Sequence, residues 1–182
     1  MNSRRLHTLM KTLKTLTRIA IFTTLLLLFA VVASAQDKKP DTLQLSVGFS
    51  NNQYDNLFST EYTQGGAVKL SVKMAANDRL RLALAGQVDR NCLGCDFKQD
   101  TYAGGPELDV NVIGKRVALF GHALFGVQTS NFQDKAFSRT YGGGVKVFVG
   151  NVFFVPGEIN YRRVEGQPET VQLFLVRVGA RF

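Results

Sequence analysis

The 182-residue chain contains no tryptophan, two cysteines, two histidines and four prolines. The two cysteines, Cys92 and Cys95, form one CxxC with no second pair, so a closed zinc site is not specified. Outside the first 35 residues His122 is the sole histidine. No strand-loop-helix phosphate cradle is present either. Gly65-Gly66, Gly104-Gly105 and Gly142 to Gly144 lie in or beside alternating segments, which argues against nucleotide binding. The longest apolar run, "IAIFTTLLLLFAVV", has 14 residues, short of the roughly 20 that a transmembrane helix needs.

That run belongs to a pattern of its own. Arg4, Arg5, Lys11, Lys14 and Arg18 precede it and "ASA" follows it, ending at Ala35. A basic start, an apolar core and a small-residue cleavage site describe a secretory signal peptide over residues 1–35; an uncleaved anchor is the alternative. No cysteine directly follows the run, so lipoprotein processing is not suggested. Cleavage leaves 147 residues and lowers the formal charge from +8 to +3. The basic balance therefore gives no reason to expect nucleic acid as a partner. Export also places Cys92 and Cys95 where a loop disulfide can form, with metal or redox roles as alternatives.

Residues 36–42 read as a short solvated arm on the periplasmic side. From Leu43 the apolar period is two, and eight segments of 10 to 13 residues each carry one apolar face. Leu43, Leu45, Val47 and Phe49 oppose Gln44, Ser46 and Ser50; Val68, Leu70 and Val72 oppose Lys69, Ser71 and Lys73. Leu80, Leu82, Leu84 and Val88 oppose Arg79, Arg81, Gln87 and Asp89, and Leu108 and Val110 oppose Glu107 and Asp109. Further on, Leu119, Phe125 and Val127 oppose a mixed face of Phe120, His122 and Leu124. Tyr141, Val145 and Val147 oppose Ser138, Thr140 and Lys146; Phe153, Val155, Ile159 and Tyr161 oppose Glu158, Asn160 and Arg162. The last segment sets Phe174, Val176, Val178, Ala180 and Phe182 against Arg177 and Arg181.

Such strands build either a sandwich with an apolar interior or a membrane barrel with an apolar exterior and a polar lumen. The polar face carries both signs of charge, a set that a lumen can satisfy with ion pairs. The connections also alternate in length. "AAND", "GKR" and Gly150 are short, whereas "QYDNLFSTEYTQGG", "NCLGCDFKQD" and "SNFQDKA" are long and "VEGQPE" is intermediate. Outer-membrane barrels have short periplasmic turns and longer outer loops. The expected fold is all-β: an eight-stranded antiparallel transmembrane β-barrel, an up-and-down meander over residues 43–182. Pro106 and Pro156 interrupt this pattern, and a bulge at each, or a slip of one residue in the assigned register, would accommodate them.

Signal peptide, eight dyad strands and the ending "VRVGARF" together resemble the small outer-membrane β-barrel family that includes the OmpA barrel, OmpX and the opacity-type proteins. The resemblance covers about residues 43–182. It implies that Phe174, Val176, Val178, Ala180 and Phe182 form the signal read by the barrel assembly machinery, and that the protein resides in the outer membrane of a Gram-negative-type bacterium, in contact with outer-membrane lipid. Some lipid A deacylases of this barrel class carry His-X-Ser, but here Leu124 stands at the serine position after His122.

The reading that follows is a non-enzymatic integral barrel, structural or surface-interacting, needing no cofactor and with no identifiable extracellular ligand. Its lumen is expected to be filled by a network of Arg79, Arg81, Glu107, Asp109, His122, Glu158, Arg162, Arg177 and Arg181, because eight strands leave an interior just wide enough for side chains. A small pore and a lipid-modifying enzyme are the alternatives.

Overall fold

A computed structural model describes residues 42–55, 60–93, 97–131, 135–166 and 170–182. The expected signal peptide and most of the expected arm lie outside the described residues. Eight strands follow in order: β1 (Leu43–Asp55), β2 (Thr60–Ala76), β3 (Leu80–Leu93), β4 (Phe97–Ile113), β5 (Val117–Ser130), β6 (Ala136–Val149), β7 (Val152–Val164) and β8 (Thr170–Arg181). Each pairs antiparallel with its neighbour, and β8 returns to β1, so the sheet is a closed barrel.

Closure removes the edge that an apolar C-terminal strand would otherwise expose. At the seam Leu45 lies opposite Ala180 and Val47 opposite Val178. The Phe182 carbonyl accepts from the Thr42 and Leu43 amides at 2.9 and 3.0 Å, and its own N–H donates to the Leu43 carbonyl at 2.8 Å.

Alternation sends apolar side chains outward. Leu70, Leu84, Val110, Leu119, Phe154, Ile159, Phe174 and Val176 are exposed, while Gln44, Ser71, Arg81, Asp89, Glu107 and Arg162 are buried inside. In water this distribution would be unfavourable; in hydrocarbon it is the stable one. At the end of the barrel that holds Phe182, the turns are short, and Gly114 and Gly150 enter them with φ of 54° and 61°. Only glycine adopts that region without strain.

The structure changes the expected pattern in four places. The outer connections are shorter than their sequence suggests, because β1 continues to Asp55, β2 begins at Thr60, β3 reaches Leu93 and β4 begins at Phe97. Residues read as loop are strand, since hairpins can extend beyond the bilayer without an apolar face. Second, Phe153 and Val155 face the lumen, 2 % and 0 % exposed, while Phe154 faces out. The pairing shifts between Val155 and Glu158, so a bulge around Pro156 inverts the parity of the first part of β7. Third, Pro106 causes no shift: Gly104 pairs with Phe125 and Glu107 with His122 in one register, and the ladder to β5 is merely interrupted. Fourth, the interior is not wholly polar. Ala67, Val171, Leu173 and Leu175 form one buried apolar cluster, and Ala118, Phe120, Phe148, Phe153 and Val155 another.

The run Gly142 to Gly144 has a packing reason. A Cβ on Gly142 would collide with Asn160 Oδ1, so the missing side chain makes room for a lumenal amide on β7.

Candidate functional site

Five cations and four carboxylates are buried among the described residues: Lys69, Arg81, Lys146, Arg162 and Arg177 against Asp89, Glu107, Asp109 and Glu158. They come from β2, β3, β4, β6, β7 and β8, and all lie on the inward parity. Such charges cannot stand alone in a medium of low dielectric, so each is matched.

On the periplasmic side Glu107 and Asp109 of β4 form the acidic centre. Lys146 Nζ reaches Glu107 Oε1 and Asp109 Oδ1, both at 2.8 Å, and Gln44 Oε1 at 3.0 Å. Lys69 pairs with Glu107, Arg81 donates to Asp109 at 3.1 Å, and the Ser71 hydroxyl donates to Glu107 at 3.0 Å. Two carboxylates so close together would repel one another; three cations hold them.

In the middle, Glu158 pairs with Arg177 and accepts from Asn160 Nδ2 at 2.8 Å. His122 Nδ1 lies 2.9 Å from Lys69 Nζ. An ammonium only donates, so Nδ1 accepts, and a neutral ring carries its proton on Nε2. That nitrogen is 3.8 Å from Glu158 Oε1. His122 thus stands between the two groups of charges, bonded to Lys69 through its Nδ1 lone pair. The Phe120 ring is flanked by three cations, with Lys146, Lys69 and Arg177 at 4.9, 5.2 and 5.7 Å from its centroid. The negative face of the ring offsets part of their mutual repulsion.

Toward the outer side Arg162 binds Asp89 through two nitrogens, at 2.9 and 2.6 Å. It also donates to Thr101 at 2.9 Å and to Thr140 at 3.2 Å, while Gln87 and Asn91 donate to Asp89. One fork therefore ties β7 across the lumen to β3 and β4.

Below the network the barrel opens into a vestibule of about 320 Å³ lined by Gln44, Lys73, Arg81, Asp109, Lys115 and Arg181, among others. Arg81 and Asp109 form both its inner wall and the plug.

Of the residues proposed for this network from sequence, Arg81, Glu107, Asp109, His122, Glu158, Arg162 and Arg177 meet in the lumen. Two do not. Arg79 precedes β3 in the periplasmic turn and is exposed; the dyad was extended one residue too far. Arg181 sits at the rim, donating to the Gly150 carbonyl at 3.0 and 2.7 Å and stacking on Phe148 at 4.9 Å. Lys69, Lys146 and Asp89 carry much of the network, yet sequence placed them only on the polar face. Lys146 and Gln44 are 102 residues apart, and only the stagger of the closed barrel brings them together.

Along the terminal strand Phe174 and Val176 face outward, exposed; Val178 and Phe182 are half-buried. Ala180 is covered between its partners Leu45 and Val152. Cys92 lies on β3 opposite Lys98, and Cys95 lies outside the described residues.

Residues 22–182 match the family described as outer membrane protein beta-barrel domain. Among solved structures, the attachment invasion locus protein Ail of Yersinia pestis is similar, with a TM-score of 0.55 and 16 % identity over 78 % of this chain and 99 % of Ail. Neisserial surface protein A gives 0.57 and 13 %, over 77 % of this chain and 97 % of that one. Ail in a phospholipid bilayer nanodisc gives 0.50 and 16 %, over 78 % and 99 %. At these identities the likeness concerns the fold. No curated protein sequence matches. With the whole barrel covered by the match, the chain belongs to the outer membrane beta-barrel family and is an integral protein of the outer membrane.

Proposed function

We propose that this protein is a non-enzymatic outer-membrane barrel whose lumen is closed by its ion-pair network and whose work is structural or surface-interacting. The observation that carries this reading is the run of matched buried charges from Arg81 and Asp109 near the periplasmic mouth to Asp89 and Arg162 nearer the outer side. Groups that satisfy one another across the lumen leave no continuous polar path for solute.

An enzymatic role would need a nucleophile or base poised toward lipid. His122 is instead turned inward and engaged by Lys69, and Leu124, two residues on, is buried. In this reading the protein is exported by its N-terminal signal and inserted by the barrel assembly machinery, with Phe182 and the alternating residues before it as the assembly signal. Its partners are the surrounding outer-membrane lipid and, during biogenesis, that assembly machinery.

Mass spectrometry of lipid A from cells with and without the protein tests the non-enzymatic assignment. Identical acyl and phosphate patterns are expected. A change that follows expression of the protein, and disappears with His122→Ala, would replace this reading with a lipid-modifying enzyme.

A further inference from the structure

The outward face of the barrel holds a pair of like charges directly opposite one another. On β6 and β7, Arg139 lies directly opposite Arg163, one step beyond the opposed pair Tyr141 and Tyr161. Like charges directly opposite on one face destabilise a sheet. Among the described residues neither arginine makes an ion pair.

Their height on the barrel makes them informative. From Val149 at the periplasmic end of β6 to Arg139 is ten residues along one strand. At about 3.3 Å per residue and a tilt of about 40°, this rises about 25 Å, the height of the apolar band on such barrels. Tyr141 and Tyr161, 48 % and 52 % exposed, mark the outer aromatic girdle. The two guanidinium groups therefore stand at the level where hydrocarbon gives way to outer-leaflet headgroups.

The site is partly pre-arranged. Arg139 is held over the Phe137 ring at 5.7 Å, and Phe125 packs edge-on against Tyr141 at 6.0 Å beneath it. Between the arginines and residues 164–166 lies a depression of about 300 Å³. Glu165 lines it too, but forms no ion pair with either arginine among the described residues, and its backbone N–H is used by the Phe137 carbonyl. By contrast Arg90, the other arginine on this outer rim, is matched by Asp100 at 2.6 and 2.7 Å. Among the described residues one arginine of the rim is paired with a carboxylate and the opposed pair is not.

We propose that Arg139 and Arg163 together bind a phosphate group of an outer-leaflet glycolipid of the lipid A type. Two planar donors side by side match the tetrahedral oxygens of a phosphate monoester, and a dianion converts their repulsion into two charge-assisted contacts. The acyl chains of the same lipid would lie along the apolar surface below the tyrosine pair.

The test uses the intact barrel in detergent micelles, titrated with bis-phosphorylated lipid A, the same lipid with its phosphates removed, and phosphatidylglycerol. Lipid binding is read by native mass spectrometry. Wild type should bind phosphorylated lipid A about tenfold or more tightly than the dephosphorylated form, and the double variant Arg139→Gln/Arg163→Gln should lose that preference. Arg90→Gln should keep it. Equal binding of the two lipid A forms, equal competition by phosphatidylglycerol, or an equal loss with Arg90→Gln would overturn the proposal. Stability gives a second readout that survives any change in yield. In phosphate-free detergent the double variant should melt at or above wild type, since a repulsion has been removed, and in lipid A vesicles below it. A lower melting temperature already in phosphate-free detergent would mean that the arginines are partnered within the protein, and would also sink the idea.

Discussion

Replacing Arg162 by Met would leave Asp89 in the lumen, 1 % exposed, without its cation. What remains is two neutral donors, Gln87 at 3.3 Å and Asn91 at 3.2 Å. Breaking a buried pair on one side typically costs about 3–5 kcal/mol, because the surviving charge keeps its desolvation penalty and loses its compensation. The two amides return part of this, so Arg162→Met is expected to lose about 3 kcal/mol. Asp89→Leu should lose a similar amount, since Arg162 then keeps only the Thr101 and Thr140 hydroxyls. Removing both charges is different. Arg162→Met with Asp89→Leu deletes the penalty along with the attraction, and replacing a buried pair by apolar residues is often close to neutral. The double variant should therefore be more stable than either single one, with a coupling of about 2 kcal/mol or more. Urea titration of the refolded barrel in vesicles, followed by heat-modifiable gel mobility, measures all four proteins. Additive losses, or single losses below about 1 kcal/mol, would show that water reaches this part of the lumen and that the fork is no seal.

Three further outcomes follow from other parts of the barrel. Leu84→Arg, outward on β3 at mid-height, should cost about 2–4 kcal/mol in a bilayer refolding assay, and Ile113→Arg at the periplasmic end of β4 about 0–1 kcal/mol; equal costs would contradict the depth assigned to them. Phe120→Leu keeps an apolar side chain but removes the ring face shared by Lys69, Lys146 and Arg177, so it should destabilise by about 2 kcal/mol, measured in the same way. Deleting Phe182 removes the amide that pairs with Leu43 and the carbonyl that receives Thr42 and Leu43. It should slow assembly in cells with limiting assembly machinery, and unchanged outer-membrane levels would refute that role.

The barrel was legible because a period of two persists through eight strands and each carries one apolar face. Parity alone places Arg81, Glu107 and Arg162 inside and Leu84, Val110 and Phe174 outside. It fails where the period is broken for a local reason, as at Pro156: the bulge moves Phe153 and Val155 into the lumen, a shift that no hydrophobic pattern signals. Apolar lumen residues were hidden for a related reason. Leu173 and Leu175 lie inside and Phe174 outside, so residues 173–176 read as a continuous apolar run in which only the parity of Arg177 marks the inward face. Ion-pair partners were beyond reach because they depend on the stagger of the closed sheet. Arg162 finds Asp89, 73 residues away, across the lumen and not along any strand. The outer hairpins were misjudged since strands that leave the membrane lose their apolar face while keeping their ladder, as β2 does between Thr60 and Gly66.

The central claim is that buried charges close the lumen, and single-channel recording in planar bilayers tests it most directly. Wild-type protein should show no steady conductance. Glu158→Ala, which frees Arg177 and removes the group facing His122, should introduce brief, small openings. Large and steady wild-type currents would contradict the account and make this barrel a pore.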